Sequence, residues 1–294
     1  MSEFLKANRV RLERGIIVHE KFLPPALKPN RQMTSVTPQY VTIHHTYDIQ
    51  EAEGTHDAEQ YARATPNVAI GGVSVHYYMD ESDCWQLLRE DEMGFHAADG
   101  YGPGNGTSIA IEIIMDGSGS KADVEAEERG AILAASLLKR HGLDIDCLTT
   151  HNHWYPKKYC PAYILPHWDK FVDKVGGYLG LPEGLSDDAV ADQVIAGRWG
   201  SGEERKRKLV FAGYEYDSVQ SIVTKKMKAL TRVMGDLDDD GKVTAADARL
   251  ALRAAVDLEL LDEEQIARAD VDKDGKITAA DARMILRMAV GLDG

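Results

Sequence analysis

Nowhere in the 294 residues is there an apolar run of the length a membrane helix needs, roughly 18 to 20 residues, so membrane insertion is not expected. The first ten residues, Met1 to Val10, have neither the apolar core nor the small-residue cleavage site of a secretory signal. The expectation is a protein that stays in the cytoplasm until something releases it to the cell exterior. Cysteine is scarce as well. Cys84, Cys147 and Cys160 are an odd number at spacings that fit no disulfide framework, which leaves Cys84 and Cys147 as reduced thiols. Basic charge is outnumbered, with 34 Lys and Arg against 48 Asp and Glu and a net charge of −14. Nucleic acid is therefore not an expected partner, because phosphate binding needs a concentrated basic face.

What is present describes a folded chain of two or three domains: 44 % hydrophobic and 28 % charged residues over this length. The acidic C-terminus is a repeat. Gly235-Asp-Leu-Asp-Asp-Asp-Gly-Lys-Val-Thr-Ala-Ala-Asp-Ala-Arg returns as Ala269-Asp-Val-Asp-Lys-Asp-Gly-Lys-Ile-Thr-Ala-Ala-Asp-Ala-Arg, each copy followed by a helical pattern. Gly176, Gly177, Gly180, Pro182 and Gly184 mark a boundary upstream. The divisions expected are 1–182, 186–230 and 234–294.

In the first division Tyr40–His44, Ser74–Met79 and Ser108–Met115 read as strands. Helices are expected over His56–Ala64, from about Ala122 to His141 with Gly142 as its stop, and over Trp168–Tyr178. Val124, Ala131, Ala135 and Leu138 form one stripe of the second helix. The implied fold class is α/β, a mixed central β-sheet covered by helices. A small helical bundle follows it, then a pair of loop–helix units.

Three segments could hold a metal: His44-His45, His151-Asn-His153 and Cys160. Two imidazoles and a thiolate make a three-ligand zinc site with a fourth position open to water, as hydrolytic zinc enzymes require. A second feature is Glu112. Alternation puts Ile109, Ile111 and Ile113 on one strand face and Ala110, Glu112 and Ile114 on the other, leaving a carboxylate in an otherwise apolar strand.

Residues 15–170 resemble the type 2 N-acetylmuramoyl-L-alanine amidases, the family of phage endolysins, bacterial autolysins and peptidoglycan recognition proteins. The matching stretches are Thr37-Pro-Gln-Tyr-Val-Thr-Ile-His-His-Thr, Val75-His-Tyr-Tyr-Met-Asp, Gly94-Phe-His-Ala-Ala-Asp-Gly, Gly104-Asn-Gly-Thr-Ser-Ile-Ala-Ile-Glu-Ile, and His151-Asn-His-Trp through Lys158-Tyr-Cys-Pro. The resemblance implies one catalytic zinc on His44, His151 and Cys160. His153 is the rival for the second ligand; His151 is favoured because the family ligand stands three residues before a Trp, here Trp154. It also implies Glu112 as general base and Lys158 as oxyanion partner, with His76 and His96 lining the substrate groove or serving as structural imidazoles. The loop from His151 to Cys160 is slightly longer than in phage-type members, which bears on where Lys157 and Lys158 fall. The implied activity is cleavage of the MurNAc–L-Ala amide of bacterial peptidoglycan by an endolysin released through a holin. The alternatives are a secreted or scaffold-anchored autolysin and a non-catalytic muropeptide-binding protein.

Residues 187–228 resemble the cell-wall-binding repeat of some phage lysozymes, through Val190-Ala-Asp-Gln-Val-Ile-Ala-Gly-Arg-Trp-Gly-Ser-Gly-Glu-Glu-Arg and Ala212-Gly-Tyr-Glu-Tyr-Asp-Ser-Val-Gln. This implies a helical module for muropeptide or glycan. Trp199 is a candidate stacking face, Gly200 a point of close approach, and Arg198 and Arg205 charge partners; the other reading makes Trp199 and Tyr214 the bundle's own core. In the C-terminal repeat, Asp236, Asp238, Asp240 and Asp247, and again Asp270, Asp272, Asp274 and Asp281, have calcium-loop spacing. Lys242 and Lys276 would each add a backbone carbonyl, making two EF-hand-like calcium sites. Thr244 with Asp247, and Thr278 with Asp281, also form capping pairs for the following helices. The module resembles a type I dockerin, which implies a cohesin partner, with self-association as the other use of that face.

Overall fold

The computed structural model describes residues 6–25, 31, 33–47, 57–67, 72–230 and 233–292. They belong to two compact units, Met1–Ser218 and Val219–Gly294. In the first unit, seven strands form one mixed sheet: β1 (Arg9–Glu13), β2 (Ile16–Glu20), β3 (Tyr40–Tyr47), β4 (Tyr77–Met79), β5 (Cys84–Gln86), β6 (Ser108–Met115) and β7 (Leu148–Thr150). Their spatial order is β1-β2-β5-β4-β6-β3-β7. From the middle of the sheet to its β7 edge, β4, β6, β3 and β7 run parallel. The helices of this unit are α1 (Asp57–Ala64), α2 (Pro103–Gly106), α3 (Lys121–His141), α4 (His151–Trp154), α5 (Trp168–Leu179), α6 (Asp187–Ile195) and α7 (Gly202–Phe211). Helix α8 (Tyr216–Leu230) crosses from one unit to the other, and α9 (Ala245–Ala254), α10 (Glu263–Ala269) and α11 (Ala279–Ala289) complete the second.

The alternation in β6 sorts its side chains into two cores. Ile109, Ile111, Ile113 and Met115 lie in one cluster with Val41, Ile43 and the buried face of α3. Ala110 and Ile114 lie in the other, with Ala58, Ala62, Tyr78 and Trp85. A strand buried on both faces suits β-branched residues, because neither face must stay polar. Helix α3 begins at Ser120, whose side chain accepts from the Asp123 N–H, and stops at Gly142 in the left-handed conformation. Ala131, Ala135 and Leu138 of the expected stripe are buried, but Val124 is 60 % exposed. Its neighbours Asp123 and Ala126 are buried, so Val124 lies off the buried face of α3's first turn. The strand expected from Ser74 starts only at Tyr77, since Ser74 makes an isolated bridge to Phe95. His56, the first residue of the helix expected to Ala64, lies outside the described residues.

The β1–β2 hairpin is an addition to the expected strands. It turns through Arg14 and Gly15, both at positive φ (49° and 88°), the two-residue turn whose twist matches antiparallel strands. That turn carries α7. The Arg14 guanidinium donates to the Phe211 carbonyl at 2.6 Å, pairs with Glu183 at 2.8 Å, and lies 5.2 Å from the Phe211 ring centre. Phe211 is fully buried in the same core as Ile16, Ile132 and Tyr178, and Arg207 reaches Glu125 of α3 at 2.5 Å. Residues up to Ser218 therefore share the sheet's compact unit.

In the second unit α9 and α11 carry the repeat, around a core of Leu237, Ala251, Ala269 and Ile285. Both helices start with the expected reciprocal caps, Thr244 with Asp247 and Thr278 with Asp281. Among the described residues no helix is long and apolar enough to cross a membrane.

Because Phe211 fills a slot between the hairpin and α5, Phe211→Ala is expected to cost about 3–5 kcal/mol, the usual range for emptying a buried aromatic site. Chemical denaturation of the full chain, followed by the near-ultraviolet signal of the sheet's aromatics, measures it. A loss under about 1 kcal/mol would show that the sheet does not depend on α7.

Candidate active site

Strand β3 pairs with β6 in a register that sets His44 opposite Glu112. Since β3, β6 and β7 are parallel, their carboxyl ends meet at one edge, where open α/β sheets place their sites. Strand β7 ends at Thr150, whose hydroxyl accepts from the His153 N–H at 3.2 Å and so starts α4 at His151. Helix α4 is anchored from its far end. Trp154 Nε1 donates to Thr42 Oγ1 at 2.9 Å, and its ring meets Tyr40 edge-on at 5.2 Å.

The loop that returns from α4 to Cys160 is cross-braced by one residue. Asn152 N–H donates to the Cys160 carbonyl at 2.8 Å, and Asn152 Nδ2 donates to the Lys158 carbonyl at 2.9 Å and to that of Pro156 at 3.2 Å. The loop is then fastened to β3. The Cys160 thiol points at the His45 carbonyl at 3.8 Å, and Ala162 N–H donates to His45 Nδ1 at 3.3 Å. The Tyr163 ring lies 4.3 Å from that of His45.

These constraints bring His44, His151 and Cys160 together, all buried, with one donor atom from each inside a mutual distance of 4.8 Å. His153 is outside this cluster; it is exposed and stands edge-on to Trp154 at 4.7 Å. Both ring nitrogens of His151 are buried with no hydrogen-bond partner, a costly state that a cation would relieve. Burial, helped by the charge of Lys158, lowers His151 to about 4. Burial and the neighbouring His96 hold His44 well below its ordinary value. Both imidazoles are thus neutral, with lone pairs free to ligate. Burial and the Glu112 carboxylate push the Cys160 thiol up to about 12. A bound divalent ion reverses that, since coordination deprotonates a thiol. The donor set fits zinc: two nitrogens and one sulfur, the three protein ligands that catalytic zinc sites commonly use.

Glu112 Oε2 lies 3.6 Å from His44 Nδ1. Burial raises its carboxyl to about 7 against the opposing pull of Lys158, so it can exchange a proton near neutral pH. The positive charge of Lys158 acts on Glu112, His44, His45, His151 and Cys160, so its amine is within electrostatic reach of the cluster.

His76 is fully engaged: Nε2 meets the Glu92 carbonyl at 2.8 Å and Nδ1 accepts from Ala110 N–H at 3.0 Å. It is a structural imidazole rather than part of an open groove. His96 is buried and lies 3.0 Å from His44 Nε2 through its own Nδ1. In the helical module Trp199 is only 1 % exposed, edge-on to Tyr214 at 5.8 Å, and donates from Nε1 to Gln193 at 3.2 Å. Its faces are taken up by the module's own core, so it offers no open stacking surface here. Arg205 is folded onto the Gly200 carbonyl at 3.0 and 2.8 Å, while Arg198 is exposed. The residues that sequence reasoning passed over are Asn152 and Tyr163. Asn152 lies inside a quoted motif and Tyr163 two residues past the end of one, but their contacts cross a loop that leaves no periodic signal.

In the second unit Asp236, Asp238 and Asp247 approach one another within 4.8 Å, as do Asp270, Asp272 and Asp274. Asp240 and Asp281 lie outside these groups. Asp240 Oδ1 accepts from the Lys242 N–H and Asp274 Oδ1 from the Lys276 N–H, both at 2.8 Å. Asp247 uses both oxygens at once. Oδ1 accepts from Leu237 and Asp238 N–H at 2.7 and 3.2 Å, and Oδ2 from the Thr244 N–H and hydroxyl at 2.8 and 2.9 Å. Asp281 repeats the pattern with Val271, Asp272 and Thr278.

Comparison with known proteins finds three family matches along the chain. Residues 34–163 match the family N-acetylmuramoyl-L-alanine amidase, residues 188–227 the CW_7 repeat, and residues 234–288 the dockerin type I domain. The chain is 34 % identical over 158 residues to the N-acetylmuramoyl-L-alanine amidase XlyA of Bacillus subtilis, covering 54 % of this chain and 50 % of that protein. It is 32 % identical over 163 residues to the amidase CwlH of the same organism, covering 54 % and 61 %. The chain thus spans about half to three-fifths of the length of these curated relatives. The solved catalytic domain of XlyA aligns at 31 % identity over 54 % of this chain and 98 % of that one, with a TM-score of 0.48.

The Cys160 loop depends on a glycine across from it. Gly117 has φ +77°, and a Cβ there would lie 2.1 Å from Tyr163 Cζ; Gly119 has a similar φ of +72° but nothing within 4 Å. Gly117→Ala is expected to lose about 1–3 kcal/mol more than Gly119→Ala, the added cost of overpacking. Urea unfolding of the two variants measures the difference, and equal losses would show that Tyr163 yields freely.

Proposed function

We propose that residues 34–163, a domain matching the N-acetylmuramoyl-L-alanine amidase family, hydrolyse the amide between MurNAc and the first L-alanine of bacterial peptidoglycan. One observation carries this reading: a buried His44–His151–Cys160 cluster lies beside a carboxylate whose burial keeps it protonatable near neutral pH. One zinc ion held by the cluster would polarise the amide carbonyl and lower the pKa of water. Glu112 accepts the proton of the attacking water as its oxygen bonds to the carbonyl carbon. As the C–N bond breaks, Glu112 returns that proton to the departing alanine nitrogen. Lys158 offers its ammonium to the amide oxygen as negative charge grows there. The buried walls around His44 and Cys160 keep bulk water from screening that interaction.

The helical module and the terminal repeat are proposed to serve attachment. Residues 188–227 hold the wall polymer, with exposed Arg198 available to a stem-peptide carboxylate. Residues 234–288 bind two calcium ions through the Asp236 and Asp270 loops and present α9 and α11 to a cohesin. The dockerin match favours a second reading for the whole chain, a scaffold-anchored wall hydrolase rather than a freely released endolysin. Pull-down with a cohesin against release of the protein during host lysis separates the two.

Mass spectrometry of digested cell walls tests the activity. Intact peptides beginning with L-alanine and MurNAc-bearing glycan are expected; cut glycan or cut cross-bridges would overturn the reading. Glu112→Ala should keep its metal and fold and lose on the order of 10² to 10⁴ in rate. His151→Ala should lose the metal, and His153→Ala should keep it, by elemental analysis of the purified proteins. In the terminal module, Asp236→Ala combined with Asp270→Ala should abolish the rise in melting temperature that calcium gives the wild type, because ion binding there is folding free energy. Turnover of a small muropeptide should survive that double change. A calcium response equal to wild type would remove the loops from the account.

A further inference from the structure

His96 stands outside the metal cluster and outside any open surface, being 3 % exposed, yet it makes one short contact with a proposed ligand. Its Nδ1 is 3.0 Å from His44 Nε2, with the two rings edge to face at 89°. Resting on the zinc reading above, we infer that His96 is a positioning residue that fixes the orientation and the tautomer of His44 by accepting a hydrogen bond from His44 Nε2.

The geometry of His44 points the same way from both sides of its ring. Nε2 is taken up by His96, whereas Nδ1 faces the carboxylate of Glu112 at 3.6 Å. Nδ1 is therefore the nitrogen turned toward the reacting side. A neutral imidazole has one N–H and one lone pair. If Nδ1 is to ligate, the proton must sit on Nε2, and a buried N–H needs an acceptor. The His96 Nδ1 lone pair is that acceptor, which leaves the proton of His96 on its own buried Nε2. That atom lacks a partner of normal hydrogen-bond geometry, but the Ser108 backbone acts on the ring in the sense that favours a proton there. The opposite arrangement, with His96 Nδ1 donating, would put the His44 proton on Nδ1 and block ligation. Metal-bound histidines are commonly held this way by a partner on the second nitrogen, and loss of the partner typically costs 10–100-fold in metal affinity.

His96 is itself immobilised, as such a role requires. Asn105 Oδ1 accepts from the N–H groups of both His96 and Ala97 at 2.7 Å. Asn105 is held in turn through Asp99 Oδ1 at 3.1 Å and the Gly100 carbonyl at 2.9 Å. Behind the ring, Gly94 leaves no spare room: a Cβ there would lie 3.1 Å from His96 Cδ2 and 3.2 Å from His76 Cε1.

The test compares two replacements of His96 in the full chain, reading zinc affinity by competition with a chromophoric chelator. His96→Leu removes the acceptor; His96→Asn keeps a carbonyl oxygen near the position of Nδ1. His96→Leu is expected to weaken zinc binding about 10- to 100-fold, and His96→Asn to hold it within a few-fold of wild type. The thermal midpoint of the metal-free proteins is measured alongside, and the Leu and Asn variants should agree there. If His96→Leu binds zinc as tightly as wild type, the inference fails. It fails equally if His96→Asn is as weak as His96→Leu, since bulk and not the hydrogen bond would then matter. A wild-type chain that binds no zinc would instead remove the metal reading on which the inference stands.

Discussion

The pairing of β3 with β6 is the constraint on which the site depends. Its register places His44 and Glu112 side by side, and β4 adds Tyr78 opposite Glu112 in the same row. Side chains alternate along a strand, so a slip of one residue would send every one of these groups to the opposite face. What prevents the slip is the apolar pattern on the far face, where Val41, Ile43, Ile109, Ile111 and Ile113 interlock beneath α3. Core packing thereby sets a distance between an imidazole and a carboxylate. The row is also electrostatically strained in a useful sense. Burial, with the charge of Glu112, raises the Tyr78 phenol well above its ordinary range, while burial raises Glu112 itself.

The remaining donors come from one segment, the single-turn helix α4 and the irregular loop that follows it. Between Thr150 and Tyr163 the chain is held by Asn152 from within, by Trp154 at one end and by Tyr163 at the other. Each tie is modest, about 1 kcal/mol for a typical hydrogen bond, but together they remove the freedom of a loop that must deliver His151 and Cys160 to the same point. Rigidity of this kind lets a three-donor site keep an open position without collapsing on itself.

Much of this was legible in the residues. The strand periods of β3 and β6, the stop of α3, the paired calcium-type loops and the His44, His151 and Cys160 segments all follow from local patterns. The β1–β2 hairpin was not legible, although Arg9-Val-Arg-Leu-Glu13 alternates polar and apolar with period two. Its apolar members Val10 and Leu12 are the exposed ones, at 56 % and 71 %, so the pattern does not mark a core-facing strand. The seam between Arg14 and Phe211 joins residues 197 apart and has no local signature at all. Trp199 illustrates a different limit: a tryptophan beside glycines reads equally as a sugar platform or as a core residue, and only its buried faces decide. For His96, the motif was visible but its partner was not, since the contact with His44 is created by folding.

Asp247 and Asp281 carry a consequence for how the terminal module would meet the calcium proposed for it. Each carboxylate already ties the loop's entry to the start of the next helix through four hydrogen bonds. The loop's two ends are therefore joined by the chain's own hydrogen bonds, so a cation bound there would not have to supply the entropy of closing the ring. Its work is confined to drawing the remaining carboxylates inward against their own repulsion. Association should accordingly behave as the tightening of a formed ring, quick to engage and sensitive to ionic strength, rather than as the folding of a slack chain around a nucleus.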